Sequence, residues 1–249
     1  MTDNSDFWQD LYRQSQQPTL VIGPLPVLRV NQDLQGDAQV SSAAAPWVAS
    51  PTAGVRRIVL ERDGGEITTR ATSLVAYRAG SRFPAHTHPQ GEEILVLSGV
   101  FSDESGHYAA GSYLRNPPGS AHAPFSDEGC LIFVKLQQFS PQDSVQLALG
   151  AQETSGTLTQ TTQTLTRRVL FERPNERVEL IHFGQAAQLP SDLGPQGLEV
   201  LVLKGELTGT DASYPVGAWL RCASSQALAH RAQAGTEIYV KSGHLGEFA

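Results

Sequence analysis

The feature that most limits what this chain can become is a repeat. Residues 80–99 read GSRFPAHTHPQGEEILVLSG, and residues 189–205 read LPSDLGPQGLEVLVLKG. Both carry the frame PQG-x-E-x-LVL-x-G, 106 positions apart (89 to 195). The same offset relates Gly99 to Gly205, Tyr108 to Tyr214, Gly111 to Gly217, Leu114-Arg115 to Leu220-Arg221, and Gly129 to Gly235. It also relates IFVK at 132–135 to IYVK at 238–241. Upstream, RRIVLER at 56–62 matches RRVLFER at 167–173, here at an offset of 111. So many glycines and apolar runs at a nearly constant offset indicate an internal duplication, and two copies of one unit should fold alike.

The unit is a β unit. RRIVLER, ATSLVAYRAG, EEILVLSGVFS, GSYLRN and GCLIFVKLQQF are short runs rich in Val, Ile, Leu, Tyr and Phe, broken by Gly, Pro, Asp and Ser. Helix-length amphipathic segments do not interrupt them, which predicts an all-β sandwich or barrel. At the N-terminus, Phe7, Trp8, Leu11 and Tyr12 have helical spacing and predict a short turn of helix. LPVLRV at 25–30 reads as a strand, and residues 33–46 as a loop or arm. The Gln/Thr/Ser-rich stretch 140–165 reads as a linker with room for one strand.

A chain of 249 residues suits one large domain or two small ones. Its formal charge of −7 argues against a phosphate-backbone partner, and the basic pairs Arg56-Arg57 and Arg167-Arg168 read as strand-edge charges. Cys130 and Cys222 lack metal or disulfide spacing, which suits a reducing cytoplasm. The first residues, MTDNSDFWQDLYRQSQQ, lack the basic and apolar regions of a signal peptide. Apolar runs stop short of the length that spans a membrane.

Chemistry concentrates in the first copy. His86 and His88 are two apart, so on a strand their rings share a face. Glu92 lies at an even spacing from them and returns to that face if the chain stays extended. A Pro-Pro-Gly turn delivers His122 at the start of a later strand, which could lie antiparallel to the first. Singly these residues have plainer readings: a surface H-x-H pair, a solvated glutamate, a satisfied core histidine. Together, three imidazoles and a carboxylate suit a divalent transition metal. In the second copy His86 becomes Asp192, His88 becomes Gly194, Glu92 becomes Leu198 and His122 becomes Leu228. Glu93, by contrast, keeps a counterpart in Glu199, which marks it as structural and facing the other side of the sheet. His230, two residues from the His122 position, could pair with Asp192 in a second, weaker site. His107, His182 and His244 have no ligand-spaced partners and read as surface or loop residues. Cys130 reads as a buried strand residue, with a redox-sensing thiol as the lesser reading. Tyr77, Phe83, Phe101, Tyr113 and Phe125 could line a pocket but read more simply as core.

These residues resemble the two motifs of the cupin family. Gly80, His86, His88, Glu92 and Gly99 fit G-x5-H-x-H-x3-E-x6-G, a spacing that selects Glu92 over Glu93. Gly111, Pro117, Gly119 and His122 fit G-x5-P-x-G-x2-H, while the Asn usual four residues later is Ser126. VFSDESGHYAA and APFSDEGCLIFVKL are similar to the ChrR cupin-like subgroup. The resemblance implies two tandem RmlC-like jelly-roll barrels: an arm over 1–50, a metal-binding domain over 51–139, a linker over 140–165, and a degenerate domain over 166–249. It implies one divalent metal, zinc or iron before manganese or nickel, held by His86, His88, Glu92 and His122. In the ChrR family the cupin-like domain follows a zinc-binding anti-sigma domain, but residues 1–50 contain neither Cys nor His, so sigma-factor binding in that way is not supported. The expected function is a stress-response sensor or small-ligand-binding module, with a small-molecule ligand and no nucleic acid or membrane partner. The alternative is a non-haem dioxygenase acting on a diketone or thiol, with catalytic residues unassigned. Exposed sheet edges make a homodimer an expectation.

Overall fold

The computed structural model describes residues 5–17, 21–22, 28–64, 68–156, 160–161, 164–193, 196–223 and 229–245. Contacts divide the chain into two compact units. One comprises Trp8–Gln32 and Ala45–Thr154, the other Met1–Phe7, Asp33–Ala44 and Ser155–Ala249.

In the first unit five strands carry the fold, in the spatial order Val55–Gly64, Thr68–Tyr77, Cys130–Leu136, Glu92–Asp103, Tyr113–Asn116. All four pairings are antiparallel. The second unit repeats that order with Leu165–Arg173, Glu176–Phe183, Glu237–Ser242, Leu198–Lys204 and Ala218–Cys222. Each sheet turns alternate side chains onto an apolar core. Tyr77, Ile94, Val96, Phe101 and Val134 pack in the first unit. Phe183, Leu193, Val200, Val202 and Ile238 pack in the second. The fold is all-β, as the short apolar runs predict, and jelly-roll in type, as the resemblance to the cupins implies.

Backbone irregularities are duplicated as well. Between Cys130–Leu136 and Glu92–Asp103 the register slips at Leu97, and its counterpart slips at Leu203, 106 residues on. Between the first two strands of each unit, bulges fall at Leu60 and at Leu170. Those positions differ by 110, and Tyr77 faces Val55 as Phe183 faces Leu165. Arg57 therefore corresponds to Arg167, and the offset of 111 read from the shared Arg-Arg pair is one residue too long. Inward–outward alternation sets strand register, and a one-residue slip would reverse every side chain. A two-residue identity is the weaker guide.

Glycines in the shared frame sit where only glycine is comfortable. Gly91 and Gly197 have φ near +80° (80° and 79°) and close the turn before Glu92–Asp103 in the first unit and Leu198–Lys204 in the second. On the outward face, Glu93 lies between Arg115 and Lys135, and Glu199 between Arg221 and Lys241, in identical registers. All six are buried. Glu93 thus faces away from Glu92, as expected of a residue the second copy keeps.

The predicted N-terminal helix spans Ser5–Ser15 and buries Trp8 and Leu11. The strand expected at 25–30 appears as Leu28–Val30, residues 23–27 lying outside the described set. Part of the segment read as a loop or arm is a strand: Ala38–Ser41 pairs antiparallel with Ala218–Cys222. It satisfies the backbone groups of a sheet edge, a partner 177 residues or more away (41 to 218) that local sequence cannot announce. In the first unit, Leu147–Leu149 covers the corresponding edge.

Candidate metal centre

A short antiparallel pair, His86–Thr87 with Ala121–His122, sets His86 directly opposite His122. His88 follows one residue past that strand, where a turn returns the Gly91 N–H to the His88 carbonyl at 3.3 Å. Glu92 opens the next strand. The chain is therefore folded between His88 and Glu92, not extended as the even spacing suggested. The PQG turn is what brings the carboxylate back.

One ligand atom from each of His86, His88, Glu92 and His122 lies within 4.8 Å of all the others. The three rings stand 4.7–5.1 Å apart, centre to centre. His88, Glu92 and His122 are buried, and His86 is half-buried. Each imidazole is held from behind through Nδ1. His86 Nδ1 donates to the Pro84 carbonyl at 2.9 Å. His88 Nδ1 bonds the Ser120 hydroxyl at 3.1 Å, and His122 Nδ1 donates to Asp103 Oδ2 at 3.3 Å. Such contacts fix ring orientation and direct the Nε2 lone pairs to one point. Asn116 Nδ2 donates to Glu92 Oε2 at 3.0 Å.

The centre of this group fits a cation. His88 Nε2 and His122 Nε2 are buried without a hydrogen-bond partner. They face Glu92 Oε2 at 3.4 and 3.3 Å. Lone pairs of nitrogen and carboxylate oxygen repel unless a proton or metal ion lies between them. The donors, three nitrogens and one hard oxygen, suit zinc, iron, manganese or nickel.

Electrostatics differ between two of the rings. Burial lowers the pKa of His88, helped by His122 and His86 and opposed by Glu92. Burial also works against protonated His122, but the Asp103 hydrogen bond and the carboxylates of Glu92, Asp103 and Glu104 outweigh it and raise its pKa. Burial likewise opposes ionised Asp103, but its hydrogen bonds from His122, Ser105 and Gly106 hold its pKa below the usual carboxylate value.

His86, His88 and Glu92 line a cavity of about 430 Å³ inside the first unit. Val75, Ile132, Val134 and Leu136 form apolar walls, and Tyr77 and Phe83 also face it. Of the five aromatics weighed as pocket residues, Phe101 belongs to the core cluster, Tyr113 is fully buried, and Phe125 lies under Arg82. The sequence reading did not name Asp103, Ser120 and Asn116, which orient the cluster, nor Arg62, which lines the cavity; Arg57, read as a strand-edge charge, lines the cavity as well. Asp103-Glu104-Ser105-Gly106 reads as an ordinary turn, and no spacing ties it to His122. Ser126, where the cupin motif has Asn, is buried, and its hydroxyl donates to the Val100 carbonyl at 2.5 Å.

Other sequence readings sort plainly. Asp192, at the His86 position, pairs with Arg167 at 2.7 Å. His230 packs on Tyr214, ring centres 5.3 Å apart, and forms no ligand cluster with Asp192 among the described residues. Gly194 and Leu228 lie outside the described residues. His107 bonds Ser102, and His182 is half-buried. His244 is a correction: it is buried beside Glu199, Nε2 to Oε1 3.5 Å, because the chain folds inward after the last strand. Cys130 and Cys222 are buried thiols whose pKa burial pushes up to about 12, far from thiolate reactivity.

Each unit is a jelly roll, and the first carries the three histidines and the glutamate. The chain is a cupin-fold protein, and its residues 35–140 match the family described as the ChrR Cupin-like domain. A provisionally assigned dioxygenase from Nostoc punctiforme is similar in structure, with 16% identity and a TM-score of 0.62, over 85% of this chain and 84% of that one. The pirin YhhW from Escherichia coli, solved with nickel(II), is 11% identical with a TM-score of 0.62, over 83% and 98%. A variant of oxalate decarboxylase from Bacillus subtilis is 10% identical with a TM-score of 0.54, over 88% and 79%. At such identities the likeness is one of fold. No curated protein matches the sequence. No described helix is long and apolar enough to cross a membrane.

Proposed function

We propose that the first unit holds one divalent transition metal through His86, His88, Glu92 and His122 and uses it on a small molecule bound in the adjoining cavity. One observation carries this reading: three of the four side chains form part of the wall of a 430 Å³ cavity, a volume typical of small-molecule sites. A purely structural metal would be closed on all sides by protein. When bound, the metal supplies Lewis acidity toward a ligand oxygen and, as iron, access to oxidation by dioxygen. The chain's own residues do the rest. Asp103, Ser120 and the Pro84 carbonyl hold the imidazoles, Asn116 holds Glu92, and the apolar walls keep bulk water from the ligand.

Oxygenase chemistry and ligand sensing both use this geometry. The Nostoc relative favours the first and the ChrR family match the second. If the protein is a redox sensor, its thiols do not act in it, because both are buried and protonated. Two unpaired thiols suit the reducing cytoplasm we assign to it.

The test is elemental analysis of protein purified without added metal, alongside the His86→Ala/His122→Ala double variant. The expected result is about one metal per chain in the parent and loss of it in the variant. Unchanged metal in the variant would sink the assignment. Oxygen uptake by the iron(II) form against diketones and thiols then separates enzyme from sensor.

A further inference from the structure

One aromatic side chain on the cavity wall carries a polar group that the fold does not use. The strand Thr68–Tyr77 turns Ser73, Val75 and Tyr77 to the cavity, alternate residues on one face. Tyr77, its last residue, is flanked by Val55 and Cys130 in the neighbouring strands. Its ring meets that of Phe101 edge-on, centres 5.9 Å apart. Only 5% of the residue is exposed.

Among the described residues the Tyr77 hydroxyl has no hydrogen-bond partner, and protein does not seal it in. A buried tyrosine hydroxyl usually finds a partner, because a desolvated, unpaired donor is costly. Burial raises the pKa of this phenol well above 10.0, helped by Glu92 and Cys130 and opposed by Arg57. Glu92 and Arg57 both line the cavity, so the hydroxyl lies within reach of their fields there. It stays protonated and is a standing donor.

The second unit supplies a control. Phe183 occupies the Tyr77 position, 106 residues on, and faces Leu165 as Tyr77 faces Val55. It is fully buried in the apolar cluster with Ile181, Leu189 and Leu193. A bare phenyl ring therefore suffices to hold this place in the fold. The hydroxyl occurs in the copy that has the ligand cluster and the cavity. Charged groups on the wall leave this role to it: Arg57 and Arg62 already have interactions within the protein, and Glu92 belongs to the cluster. Beside Tyr77 the wall is apolar, with Val55, Val75 and Ile132.

We propose that Tyr77 is a ligand-binding residue of this cavity, its hydroxyl donating to an oxygen of a small, largely apolar molecule such as a ketone. This rests on the small-molecule reading of the cavity and names the ligand class: an apolar body that carries an acceptor oxygen. The phenol sorts such a molecule from a hydrocarbon of the same shape, because the hydrocarbon leaves the donor unpaired.

The test compares acetophenone with ethylbenzene, which have nearly one shape and differ in the acceptor. Binding is measured by calorimetry on the zinc-loaded protein and on its Tyr77→Phe variant, with metal content assayed for each. Acetophenone should bind the parent more tightly than ethylbenzene does. Tyr77→Phe should weaken acetophenone by roughly 5-fold, leave ethylbenzene unchanged and keep its metal. A variant that binds acetophenone as the parent does overturns the inference. So does a parent that does not bind acetophenone, while the metal assay judges the metal centre separately. A second measurement needs no ligand. With no partner lost inside the protein, Tyr77→Phe should unfold in urea at the parent's midpoint or above it. A clearly lower midpoint would mean that the hydroxyl serves the fold, and would also overturn the inference.

Discussion

Asp103 shows how a residue outside any motif can govern a site. Its carboxylate accepts the Nδ1 proton of His122 and so fixes which nitrogen of that ring faces the other ligands. Asp103→Asn leaves the shape but removes the charge that holds the tautomer. Metal affinity should fall by roughly 10- to 100-fold, read by competition with a chelating dye, while the circular dichroism spectrum stays unchanged. An unchanged affinity would mean that the strand pairing alone positions His122. The thiols give a second prediction. Burial raises both from an ordinary 9.0 to about 12, so the folded protein keeps them protonated. Iodoacetamide at pH 8 should leave the native chain unmodified and alkylate both cysteines once it is unfolded. With the folded pKa raised, their contribution to stability is full below the unfolded value and is lost as pH rises toward 12. Alkaline titration of stability should therefore decline above about pH 8.5. Rapid native labelling of either thiol would contradict its burial.

Elements in this fold are held in place by their turns. Gly99 ends the LVL-x-G frame with φ +72°, and a Cβ there would stand 2.0 Å from the Gly129 carbonyl oxygen. Gly99→Ala must strain the backbone and push two strands apart at once. It should destabilise the protein by more than about 1 kcal/mol in urea unfolding. Gly80→Ala, with nothing within 4 Å of the added carbon, meets only the backbone term of its φ of +77° and should cost less. Equal losses would mean that the close approach at Gly129 relaxes freely. The elements were the most legible part of the sequence. Alternating Val, Ile and Leu between Gly and Pro announced the strands because burial on one face leaves that trace. Ala38–Ser41 left none, being a short edge strand of small and polar residues whose partner is distant.

At the scale of the whole chain the two copies differ: among the described residues the first has the ligand cluster beside a cavity of about 430 Å³, and the second packs an apolar cluster around Leu193, Leu198 and Leu220. The expected stoichiometry is therefore one metal per chain, not two. A metal that binds only the folded arrangement of these four side chains should raise the melting temperature as its concentration rises. The gain is about 2.7 kcal/mol at 100 times the dissociation constant. Chelation should reverse it. Scanning calorimetry with and without chelator would show this, and a melting curve indifferent to metal would argue that the cluster is not a metal site.

The sequence by itself determined the duplication, the β character of each copy and the four residues of the cluster. Each of these leaves a one-dimensional trace: a fixed offset, an alternation of two, a spacing of histidines. Only the tertiary structure decided what surrounds them. It showed that a turn, not an extended strand, returns Glu92 to His88, and that Asp103 stands behind His122. It showed too that a bulge at Leu60 brings Arg62 rather than Glu61 to the cavity. Register, bulges and cross-strand neighbours arise from pairing between distant segments, and such pairing has no fixed spacing along the chain. That is why the histidine–glutamate cluster could be read from the letters and the cavity beside it could not.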